Sequence, residues 1–144
     1  MQVQAGAQER NWAMAAHLSA LVAIAGMPFG HILGPLVIYL IKGHESEFVG
    51  EHARASLNYQ ITISILVILA VIVGVAATLG FLIPMTTTST SETTAPISFA
   101  VLWISFAAAA LIVLLASIVF IVLGTIAASE GRPYTYPFAI RFLR

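Results

Sequence analysis

Two long apolar runs constrain this chain more than any other feature. One continues from the charged window 44–54 without a proline to about Phe81, and the other covers 97–129. About 20 apolar residues cross a bilayer as a helix, so each run is long enough to span. Of the 144 residues, 60% are hydrophobic and 8% are charged, against about a quarter charged in soluble domains. A soluble fold of this size could not hide so much apolar surface, so lipid is the expected solvent. The formal net charge of +0 gives no field to gather nucleic acid, and no nucleic-acid partner is expected. With no cysteine, disulfide and thiolate chemistry are absent.

The first 42 residues read differently. Residues 1–10 are small or polar and are expected to be disordered. The apolar stretch that follows has the look of a signal sequence. The balanced pair Glu9 and Arg10 in front of it favours a retained membrane segment instead. Two short apolar segments, about 12–27 and 32–42, flank Met27-Pro28-Phe29-Gly30-His31, where Pro and Gly predict a non-helical break. Neither segment reaches the length of a full span, so a short helical hairpin is expected, re-entrant or just crossing. Pro35 suits the first turn of the second segment.

The expected fold class is thus an all-α integral membrane protein. It would have a short N-terminal helical hairpin (two short membrane segments) and two long transmembrane helices, 46–83 and 97–129. Residues 11–144 are expected to form one helical membrane domain. Ser46 is the candidate N-cap of the first long helix, with Glu47 and Glu51 near its positive end. A Thr/Ser connection, 85–96, joins the two long helices. The tail 132–144 mixes Tyr, Phe and Arg as interfacial segments do. All six basic residues, Arg10, Lys42, Arg54, Arg132, Arg141 and Arg144, fall in segments that this topology puts on one side. The positive-inside rule then places both termini in the cytoplasm and the chain in a prokaryotic cytoplasmic membrane.

Polar residues entering the apolar run define the candidate site. Glu51, Arg54, Asn58 and Thr62 share one helix face, and His52, Ser56, Gln60 and Ser64 form a second stripe. Glu51, His52, Arg54, Asn58 and Gln60 are the candidate intramembrane or interface residues. Two readings stand: a wet groove between helices, or hydrogen bonding that fixes helix register, the more usual case. His44, Glu45, Glu47, Glu51 and His52 lack the spacing of a helix-face metal site and read as capping and solvation. His17 and His31 are lone histidines that read as packing residues. Gly26, Gly30 and Gly34 match a helix-dimer pattern that Pro28 interrupts. No nucleophile set, phosphate loop or metal set appears, so neither catalytic activity nor a cofactor is expected.

Several short stretches carry a family resemblance. They are Trp12-Ala13-Met14-Ala15-Ala16-His17-Leu18-Ser19, Gly34-Pro35 through Lys42, Glu45-Ser46, Phe48-Val49, Glu51-His52, Ala55, Leu57-Asn58-Tyr59-Gln60-Ile61, Gly131, Tyr134, Tyr136-Pro137 and Ile140-Arg141-Phe142. Together they resemble a widespread family of small bacterial and archaeal membrane proteins of unknown function. That family is distantly similar to the import component of the chloroplast inner-envelope translocon (Tic-like). Glu47 stands where that family often has Pro, and Gly50 where it often has an acidic residue. The resemblance implies four helical segments with both ends cytoplasmic, and a link to protein translocation by analogy.

The function expected from these features is non-enzymatic: an accessory or assembly subunit of a membrane complex. Its partners would be the lipid bilayer and other membrane subunits, or further copies of itself. The rival is a small oligomeric channel or transporter using the polar stripe around Asn58 and Gln60.

Overall fold

The computed structural model describes residues 5–27, 29–87 and 95–143. Three sequence expectations lie partly outside them: residues 1–4 of the N-terminus, Pro28 of the break, and 88–94 of the Thr/Ser connection. The described residues form four α-helices, α1 (Ala7–Leu18), α2 (Gly30–Lys42), α3 (Glu47–Thr87) and α4 (Ala95–Ser129), and contain no strand. A 3-10 segment, Ser19–Ala25, follows α1 directly.

The chain divides into two compact units, Met1–Ser64 with Ser117–Arg144, and Ile65–Ala116. The second unit holds the apolar parts of α3 and α4. Their side chains are largely exposed, from Ile65 through Ile83 and from Ile97 through Leu115. At about 1.5 Å per residue, each stretch matches a hydrocarbon core of about 30 Å. Phe81 stacks on Phe99, and Phe106 and Trp103 close over Gly74. Both long helices are long and apolar enough to cross a membrane.

The first unit is built on the N-terminal half of α3. Ser46 caps that helix, its hydroxyl accepting the Val49 N–H at 3.4 Å. The same hydroxyl donates to Glu9 at 2.7 Å, and Glu9 also accepts the Gly6 N–H at 2.7 Å. These contacts, the Ser46 hydroxyl first, hold the Glu9 carboxyl below the usual carboxylate range. The clasp is therefore intact at neutral pH and weakens as pH falls through that lowered value. It also explains why α1 begins at Ala7, inside the stretch expected to be disordered.

Buried Ala13, Ala16, His17 and Ala20 give α1 and the 3-10 segment one continuous inward stripe. Ala16 packs with Ile38, Val49 and Ala53, and Ala20 with Tyr59, Ile121 and Tyr136. Gly26 and Phe29 take left-handed backbone conformations, with φ of 88° and 60°, which turn the chain between the 3-10 segment and α2. Gly30 and His31 of the expected break are already helical. That start leaves Pro35 inside α2 and not in its first turn.

α2 lies against the 3-10 segment and α1. Its first turn meets α3 at Ser64, where the hydroxyl pairs with His31 Nε2 at 2.9 Å. Its end meets α3 at Gly50, where a Cβ would lie 2.7 Å from the Gly43 carbonyl oxygen. Gly50 is thus a close-approach residue, which gives it a reason where an acidic side chain was the comparison. A Cβ at Gly34 would lie 2.6 Å from Ser19 Cβ and 2.7 Å from its carbonyl oxygen. Gly34→Ala should therefore push α2 off the 3-10 segment and cost about 1–3 kcal/mol, as overpacking does. Unfolding of the full chain in mixed micelles reads that cost. An unchanged midpoint would show the two segments are not in contact.

Candidate functional site

The polar residues of α3 sort by face, and each face finds a different partner within the first unit. Asn58 and Thr62 turn to the C-terminal tail. The Asn58 amide donates from Nδ2 to the Leu143 carbonyl at 3.0 Å and accepts the Phe142 and Leu143 N–H groups at 3.1 and 2.9 Å. The Thr62 hydroxyl accepts the Ile140 N–H at 3.0 Å and donates to the Asn58 carbonyl. These are tail backbone groups with no strand or helix to satisfy them, so the side chains of α3 stand in for secondary structure.

His52 and Ser64, on the second stripe, turn to the N-terminal segments and the chain beyond α4. His52 Nε2 lies 3.1 Å from the Arg132 carbonyl, which can only accept, so this nitrogen carries the proton. Neutral His52 then presents a bare Nδ1, 2.8 Å from His17 Nε2, which must donate to it. That leaves His17 Nδ1 to accept from the Tyr136 hydroxyl at 2.8 Å. Burial pushes the Tyr136 phenol up from its ordinary value, so it stays a protonated donor. The result is a one-way chain, Tyr136 to His17 to His52 to the Arg132 carbonyl. It ties α1, α3 and the tail at one buried point. Tyr136 also stacks on Tyr59 at 4.4 Å between centroids, and the Tyr59 hydroxyl pairs with Ser117 of α4 at 2.9 Å.

The five candidate residues thus have different surroundings. His52, Asn58 and Gln60 are buried, Arg54 is half-buried and Glu51 is exposed. Asn58 has given both ends of its amide to the tail, while the Gln60 amide nitrogen is buried without a hydrogen-bond partner among the described residues. The Arg54 guanidinium lies over the Tyr39 ring at 5.9 Å. Two shallow grooves open at this end. One, of about 710 Å³, is lined by Glu9, Arg10, Glu47, Glu51 and Glu130 among others. The other, of about 780 Å³, runs between α3 and the tail. Among the described residues no group of three or more His, Cys, Asp or Glu could hold a metal ion.

The sequence suggests the two stripes of α3 but presents His17 as a lone packing residue. Nothing in the sequence links His17 to His52 and Tyr136, which are 35 and 119 positions away. The inward spacing of Ala13, Ala16, His17 and Ala20 was the available signal that His17 faces the core.

A family model described as the magnetosome magnetite crystal formation protein family matches residues 8–143. No curated protein and no solved structure matches the chain. The family match overturns the resemblance to the Tic-like family of unknown function. With that resemblance goes the basis for a link to protein translocation. The short motifs that carried it lie within the matched residues.

Proposed function

The chain belongs to the magnetosome magnetite crystal formation protein family, and on that premise we propose that it is a non-enzymatic membrane protein of the magnetosome membrane. It acts as an accessory or assembly subunit of the complex in which magnetite crystals form. The observation that carries this reading is the match across 8–143, which takes in both apolar helices and nearly all of the first unit. Helices 65–83 and 97–116 cross the bilayer. The segments 12–27 and 32–42 form a re-entrant hairpin whose exposed Leu33, Val37, Leu40 and Ile41 meet lipid. Both termini, with Arg10, Lys42, Arg54, Arg132 and Arg141, stay on the cytoplasmic side. The buried histidine–tyrosine chain serves as a structural clasp that holds the first unit together and leaves its outer faces for partner subunits.

The test is gentle extraction of the tagged full chain from magnetosome membranes, with the mass and composition of the native complex measured. A stoichiometric membrane-protein partner is expected. Recovery of this chain alone, as a monomer, would remove the assembly reading.

A further inference from the structure

We propose that the groove between α3 and the C-terminal tail is a binding site for the phosphate headgroup of an anionic phospholipid. Arg54 and Arg141 supply its charge, and Phe138 anchors the tail among the acyl chains. The groove, about 780 Å³, is lined by both arginines together with Glu51, Asn58, Tyr134 and Thr135 among others. Neither guanidinium has a carboxylate within ion-pairing distance among the described residues, whereas Lys42 pairs with Glu45 and Arg132 with Glu130. Counting Glu51, the lining side chains carry a net single positive charge, and the tyrosine and threonine hydroxyls add neutral donors. Planar guanidinium forks suit phosphate oxygens better than any other side chain does.

The path of the tail points to a lipid as the source of that phosphate. From the Arg132 carbonyl beside His52, the tail descends along α3 until the Ile140 N–H meets Thr62. Thr62 lies ten positions beyond His52 on the helix, a descent of about 15 Å. The tail then climbs back, so that Phe142 and Leu143 meet Asn58. Its lowest part therefore lies level with Thr62 of α3. There the tail shows Phe138 at 89% exposure and Ile140 at 56%, followed by Phe142 at 48%. Phe138 also sits at φ 63°, an unfavourable backbone for a bulky residue. Water gives no return for such an exposed aromatic, and acyl chains do. A polar cleft above an apolar tip, with two arginines between that have no ion pair among the described residues, fits an amphiphile with an anionic head. Asn58 fixes the tail in this path and so sets Arg141 in the same groove as Arg54.

This inference rests on the membrane reading, which is checked separately by whether the chain needs detergent to leave the membrane. The direct experiment measures association of spin-labelled phosphatidylglycerol and phosphatidylcholine with the purified full chain in mixed micelles. Phosphatidylglycerol should be preferred. Arg54→Gln with Arg141→Gln should weaken its association about tenfold, toward the phosphatidylcholine level, as expected for lost charged hydrogen bonds. Neither arginine has an ion-pair partner to lose among the described residues, and circular dichroism of the variant checks that helicity is kept. Phe138→Ser, at an exposed position, should weaken both lipids alike and keep the preference. Equal binding of the two lipids, or a preference that survives the double substitution, would overturn the proposal. Displacement of the labelled phosphatidylglycerol by inorganic phosphate would also overturn it, by making the site one for free phosphate.

Discussion

Asn58→Leu should release the end of the C-terminal tail while leaving the long helices intact. Leucine matches asparagine in size, so packing at this buried position is kept, but three hydrogen bonds to residues 142 and 143 are lost. At about 1 kcal/mol net for each bond, docking of the tail should weaken by about 3 kcal/mol. Amide exchange at Phe142 and Leu143 should then accelerate about a hundredfold, and trypsin should cut after Arg141 far sooner. The Ile140 amide, held by Thr62, should respond less. Unchanged exchange at 142 and 143 would mean that Asn58 does not hold the tail.

His17→Phe should destabilise the first unit more than any change at an exposed position. His17 is fully buried and stands between His52 Nδ1 and the Tyr136 hydroxyl. Its removal leaves His52 Nδ1 unpaired, at a cost of about 1–3 kcal/mol for an uncompensated buried group, and leaves the Tyr136 hydroxyl only Ser56 to turn to. His52→Phe alone strands His17 and the Arg132 carbonyl in the same way. The pair changed together should cost less than the sum of the two, with coupling of about 1–3 kcal/mol. Unfolding of the full chain in mixed micelles supplies all four corners of that cycle. Strict additivity would show that the chain of hydrogen bonds does not act as one unit.

Much of this architecture was legible in the sequence, for reasons that are local. The two apolar runs became α3 and α4 because an unbroken stretch without charge or proline has no other way to satisfy its backbone in lipid. Ser46 capped α3 as its residue type and position implied. The i,i+4 spacing of His52, Ser56, Gln60 and Ser64, and of Arg54, Asn58 and Thr62, is a property of any helix there. What each stripe faces is not such a property. The stripes were open to a wet groove or to hydrogen bonding, and the side chains alone could not decide.

The family also lay beyond the short motifs. Those motifs all lie in the first unit. They pointed to one family, while the match across 8–143 identifies another.

By itself, then, the sequence determined the helical class, the two long apolar helices, the cap at Ser46 and the polar stripes of α3. Each follows from interactions within a few turns of one helix. Only the tertiary structure decided that α1 starts at Ala7, that Gly34 and Gly50 are close-approach points, and that Asn58 holds the tail. It alone joined His17, His52 and Tyr136. The physical reason is the same in each case. A buried polar group must find a partner, and the partner it finds is set by where distant segments are packed, not by its neighbours in the chain.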